Sequence, residues 1–122
     1  MSPRRRSVRT EVAVTRSWSG PAPETAEALM RSRFTAFRDG DAAWLLDSWH
    51  PSTRPTSLDL TDNPVWRGLQ VVDVVGGGPE DDAGIVEFRA TYVLPSGGVE
   101  VMHERSRFVR EDGRWYYVAP AE

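Results

Sequence analysis

Few residue types in this chain of 122 can do chemistry, and the shortage narrows the search. There is no cysteine, which excludes disulfides and thiolate metal sites. His50 and His103 are the two histidines, too few for a metal centre unless carboxylates complete it, so no metal is assigned. No nucleophile motif or phosphate loop is present, and no cofactor is expected. What remains is Glu104 with Ser106, set inside an apolar strand pattern, and the run Trp49-His50-Pro51-Ser52-Thr53-Arg54. An imidazole beside a carboxylate can pass a proton, and a guanidinium can hold an anionic group. Glu104 and His50 are therefore the candidate acid–base pair, and Thr53 and Arg54 the candidate ligand contacts.

The element that positions Glu104 is a hairpin. Strand-like runs flank Glu111-Asp112-Gly113-Arg114, and Asp-Gly between alternating segments is a strong turn signal. Met102, Glu104, Ser106 and Phe108 share one face of the first strand; Val101, His103, Arg105, Arg107 and Val109 share the other. On the second strand Trp115 and Tyr117 lie together. Joining the large apolar faces turns Glu104 and Ser106 inward. An inward carboxylate needs a partner, because burying it unpaired is costly. It is either a proton acceptor in a cavity or the partner of a structural Arg or Tyr. His103 shares a face with Arg105 and Arg107, so parity puts it on the surface or in a dimer interface. His50 has an alternative as a helix-terminal histidine bonded to the last carbonyls.

The other elements read off in order. Residues 1 to 18 carry five arginines and one glutamate, a net of +4, and residues 1–20 read as a basic, flexible tail. The rest holds ten arginines and seventeen carboxylates, a net of −7, which argues against nucleic acid as the partner of anything but the tail. No apolar run is long enough for a membrane span, and the Arg-rich start lacks the apolar segment of a signal peptide; a cytoplasmic location is expected. Residues 21–122 are expected to form a single domain.

Within that domain, helix one is expected from about Thr25 to Arg38. Its stripe is Ala26, Leu29, Met30, Phe34 and Phe37, flanked by Arg31 and Arg33. Those two arginines would pair with Glu27 or Glu104. Gly40 and Asp41 stop it and start a short helix from Ala42 to about Trp49, with Leu45, Ser48 and Trp49 on one face and Trp44 and Asp47 elsewhere. Strands follow from Trp66 or Leu69 to Val75 and from Gly84 to Leu94, joined by an acidic, mobile loop at 76–82. Two helices, an irregular connection and a four-stranded antiparallel meander make an α+β fold.

Three separated stretches resemble the YchJ-like family of bacterial proteins: Thr25-Ala26-Glu27-Ala28-Leu29-Met30-Arg31-Ser32-Arg33-Phe34, Trp49-His50-Pro51-Ser52-Thr53-Arg54, and His103-Glu104-Arg105-Ser106-Arg107-Phe108-Val109-Arg110 with Gly113-Arg114-Trp115-Tyr116-Tyr117. The resemblance covers roughly residues 21 to 118. It implies a nuclear-transport-factor-2-like cone, in which helices cross a curved four-stranded sheet and leave a pocket. Members of that family commonly carry a cysteine-rich SEC-C segment suited to zinc; here the corresponding Val12 to Gly20 has no cysteine. The implied pocket would be rimmed by the loop after helix two, and its expected lining is His50, Thr53, Arg54, Glu104, Ser106, Trp49, Phe108 and Trp115.

Three functions are open on these residues. The first is a non-catalytic module that binds a small molecule or another protein and forms a homodimer through the open sheet face. The second is a small hydrolase, isomerase or dehydratase using Glu104 and His50. The third is a scaffold tethered by its basic tail to nucleic acid or the ribosome.

Overall fold

A computed structural model describes residues 21–121 of the chain. The expected basic tail, residues 1–20, lies outside the described residues.

Helix α1 (Ala26–Asp39) starts where Thr25 accepts a hydrogen bond from the Ala28 N–H at 3.0 Å, and ends at Gly40 in a left-handed conformation, φ 76°. Its buried side includes Ala26, Leu29, Met30, Arg33 and Ala36. Arg33 thus lies inside the apolar stripe rather than flanking it. The reason is helical spacing: it falls four residues after Leu29 and three after Met30. Arg31 does flank the stripe, and it pairs with Glu27 one turn back at 2.9 Å.

Helix α2 (Ala42–Asp47) is capped by Asp41, which accepts from the Trp44 N–H at 3.0 Å. It is shorter than its sequence suggests. The chain turns out at Ser48 so that Trp49 can form a parallel bridge with Tyr117. Trp44, on a different side of the helix from Leu45, is also buried, and its indole N–H donates to Ser32 Oγ at 2.9 Å.

The sheet is the expected antiparallel meander of β1 (Val65–Gly76), β2 (Ala83–Val93), β3 (Val99–Glu111) and β4 (Arg114–Pro120), in that spatial order. The β3–β4 hairpin closes in two residues, Asp112 at φ 53° and Gly113 at φ 78°, with Glu111 opposite Arg114. Its covered face carries Glu104 and Ser106, which lie opposite Phe88 and Val86 of β2. Between Phe108↔Tyr117 and Arg107↔Ala119 the register shifts, leaving Val118 as a bulge on β4. On the open face Glu87 accepts from His103 at 2.6 Å and from Arg105 at 2.8 Å. These bonds, His103 first, hold the Glu87 carboxyl below its ordinary range. Both partners are partly exposed, so the network does little for stability. No helix among the described residues is long and apolar enough to cross a membrane.

The 76–82 loop is tied down at several points. Gly77 accepts from the Ala26 N–H at 2.9 Å and donates to Ala83 O at 3.0 Å, while Arg110 N–H bonds Asp82 O at 2.8 Å. Gly77 is at φ 77°, and a Cβ there would stand 2.8 Å from the Ala26 methyl. The start of α1 therefore rests directly on backbone. Gly77→Ala is expected to lower the unfolding free energy by more than about 1 kcal/mol, through strain and overlap together. Gly97→Ala, at φ 95° with nothing within 4 Å, should cost only the conformational part. Urea unfolding of both variants checks the difference.

Candidate functional site

Between α1 and the covered face of the sheet lies a cavity of about 230 Å³. Its walls are largely aromatic: Phe34 and Phe37 from α1, Trp66 from β1, Phe88 from β2, Phe108 from β3 and Tyr117 from β4. Helical spacing sets the first two on one side of α1, and strand alternation sets the rest on the covered face. Trp66 anchors one end. It packs edge-on to Phe34 at 6.3 Å and lies 6.1 Å from Phe37 and 5.0 Å from Tyr92, ring centre to ring centre. Its indole N–H is held by Asn63 Oδ1 at 2.9 Å, and Asn63 in turn donates to Phe37 O.

The opposite wall is polar. Ser106 Oγ donates to Glu104 Oε2 at 2.7 Å. Arg33, only 6% exposed, sends Nη1 to Leu45 O at 2.8 Å and to Ser48 Oγ at 2.7 Å. The guanidinium also lies over two rings, 4.5 Å from the centre of Tyr117 and 5.3 Å from that of Trp49. Burial lowers Arg33 to about 10, against the opposing pull of Tyr117 and Glu104, so it stays a cation at neutral pH. Tyr117 is pushed up to about 12, first by burial and then by the Glu104 carboxylate, with Arg33 opposing. The pattern is a cation and an anion on one wall, with a neutral phenol between their influences.

The structure divides the sequence-derived candidates. Glu104, Ser106, Trp49 and Phe108 line the cavity; His50, Thr53, Arg54 and Trp115 do not. His50 points the other way because Trp49 faces inward and the chain is extended there. Its backbone N–H bonds Tyr117 O at 2.8 Å, while its ring bonds Ser52 Oγ at 2.7 Å and Glu111 Oε2 at 2.9 Å. Its ring also stands edge-on to Tyr116. The expected pairing of His50 with Glu104 is therefore not assembled. Thr53 Oγ1 donates to Val118 O at 2.7 Å, and Arg54 Nε to Trp49 O at 2.9 Å, so both serve the loop. Asp47, at the end of α2, pairs with Arg114 of β4. Trp115 is a core residue whose N–H donates to Glu24 O at 3.1 Å. His103 lies on the open face with Glu87.

Sequence reasoning missed Arg33, Tyr117 and Trp66 as lining residues. For Arg33 a signal existed in its position within the α1 stripe. For Trp66 the signal was weak, because the start of β1 was read only as Trp66 or Leu69 and the strand's face was left unassigned.

The raised Tyr117 phenol yields a test. Because its folded value exceeds the ordinary tyrosine figure of about 10, its contribution to stability is present below pH 10 and is lost as pH rises toward 12. An ultraviolet titration should show a late phenolate transition near pH 12. Tyr117→Phe should remove that transition and the associated fall in denaturant midpoint.

Comparison with known proteins places this geometry. Residues 25–120 match the family model described as YchJ, middle NTF2-like domain. A UPF0225 protein of Streptomyces coelicolor is 52% identical over 96 residues, which cover 79% of this chain and 73% of that one. A UPF0225 protein of Chromobacterium violaceum is 50% identical over 104 residues, 83% and 76% of the two chains. Among solved structures, a SEC-C motif containing protein from Rhodopseudomonas palustris superposes with a TM-score of 0.72 at 28% identity, covering 83% of this chain and 80% of that one. A sec-c motif containing protein from Psychrobacter arcticus superposes at 0.67 and 27% identity, over 84% and 63%. The family model covers every described helix and strand, and the chain belongs to the YchJ-like family through its NTF2-like middle domain.

Proposed function

We propose that this domain is a non-catalytic module that binds a small, largely apolar molecule in the cavity beneath α1. The observation that supports it is the cavity itself, about 230 Å³ walled by aromatic rings with a single polar side. Apolar pockets with a few convergent polar groups are the usual form of small-molecule sites. For scale, an apolar cavity of roughly 150 Å³ accommodates benzene, so a one-ring compound with a substituent fits here. Acid–base catalysis has less support, because His50 is engaged by Glu111 and Ser52 outside the cavity. That leaves Glu104 without a second proton-transfer group of suitable pKa.

Toluene is the simplest probe of the pocket. Met30 and Met102 both line it, so their labelled methyl groups report occupancy directly by NMR. Toluene should shift both methyl signals saturably. Ala90→Leu, which fills the cavity from β2, should abolish the shift while the protein stays folded. Methyl signals that never saturate, or that respond equally in the filled variant, would remove the reading.

A further inference from the structure

Resting on that reading, we infer that the ligand is neutral, planar and bears an edge that both donates and accepts a hydrogen bond, as an aromatic amide or lactam does. Three features of the polar wall lead there.

The first is charge. Arg33 and Glu104 both line the cavity, so its wall carries one cation and one anion. A ligand carboxylate drawn to Arg33 would lie near Glu104, and a ligand ammonium drawn to Glu104 would lie near Arg33. Either meets a like-charge penalty, which partial burial screens less than open water does. A neutral group meets both without it.

The second is hydrogen-bonding capacity. Nη1 of Arg33 is used twice, on Leu45 O and Ser48 Oγ. Its Nε and Nη2 make no hydrogen bond among the described residues, and the side chain lines the cavity, so two of its donor groups are left for a ligand. A ligand carbonyl can accept from them, and a guanidinium fork suits a planar acceptor. Glu104 accepts from Ser106 on Oε2 and also faces the Tyr117 hydroxyl, and a carboxylate has about four acceptor positions. Capacity therefore remains for a ligand N–H. A donor and an acceptor offered on one wall match the N–H and C=O of an amide.

The third is shape. Phe34, Phe37, Trp66 and Phe88 surround the remaining space, and rings prefer to pack against rings in stacked or edge-on arrangements.

Four probes of one size separate the possibilities: benzamide, benzoate, benzylamine and toluene, each titrated at neutral pH into the full chain by methyl NMR. Benzamide should bind at least tenfold more tightly than the two charged probes and more tightly than toluene. Glu104→Gln takes away the charge that opposes a ligand carboxylate and keeps a side chain of the same shape. Benzoate should then gain on benzamide by about tenfold, while toluene binds as before and shows that the variant is folded. Benzoate or benzylamine matching benzamide in the natural protein would overturn the inference and leave the binding site standing. So would a benzamide-to-benzoate ratio unmoved by Glu104→Gln. Failure of all four probes, toluene included, would remove the binding site itself. Should Glu104→Gln not fold, the ranking of the four probes on the natural protein decides alone.

Discussion

A guanidinium with almost no water around it organises one end of this molecule. Taking Arg33 out of solvent costs several kcal/mol unless the protein replaces its hydration. The replacement comes from four separate elements: the Leu45 carbonyl in α2, the Ser48 hydroxyl just after it, the Trp49 and Tyr117 ring faces, and the field of Glu104 on β3. The close parallel bridge between Trp49 and Tyr117, with Tyr117 N–H bonded to Ser48 O at 2.9 Å and His50 N–H to Tyr117 O, brings the end of α2 onto the edge strand. The same bridge turns His50 outward, since neighbours along an extended chain face opposite ways. What looked like a catalytic residue thus becomes a clasp between the loop and the hairpin turn through Glu111.

At the start of α1 the constraint is steric rather than electrostatic. Ala26 and Gly77 are small because the helix start and the β1–β2 loop approach to backbone contact, and Gly84 would push a Cβ into Gly77 at 2.5 Å. The start of α1 is thus fixed by this contact and its middle by the Arg33 cluster. Further along the helix Phe34 and Phe37 lean on Trp66, and Ala90 is the small residue of the cavity's lining on β2. Interiors are otherwise packed nearly as densely as crystals, so a volume of this size stands out.

Much of the architecture was legible in the residues. Thr25, Gly40 and Asp41 mark helix ends by local chemistry that depends on nothing distant. Asp112-Gly113 marks the hairpin, and the alternation along Val99–Glu111 puts Glu104 and Ser106 on the covered face whatever the register. Parity likewise sends His103 to the open face. Arg33 was set aside as a flanking charge because residue type was weighed above helical position. A charged residue goes inside only when distant groups receive it, and those groups were a carbonyl oxygen of α2, the Ser48 hydroxyl just after it and a ring from another strand.

The sequence by itself therefore determined the elements, their order, the antiparallel meander and the inward carboxylate, since each depends on contacts within a few residues or on the period of the chain. Tertiary structure alone decided which polar groups share a cavity. Glu104, Arg33 and Tyr117 come from three elements, and the choice between His50 and Trp49 as the inward residue turned on a single backbone bridge. The reason is physical: periodicity assigns a side chain to a face, but only packing assigns that face a partner.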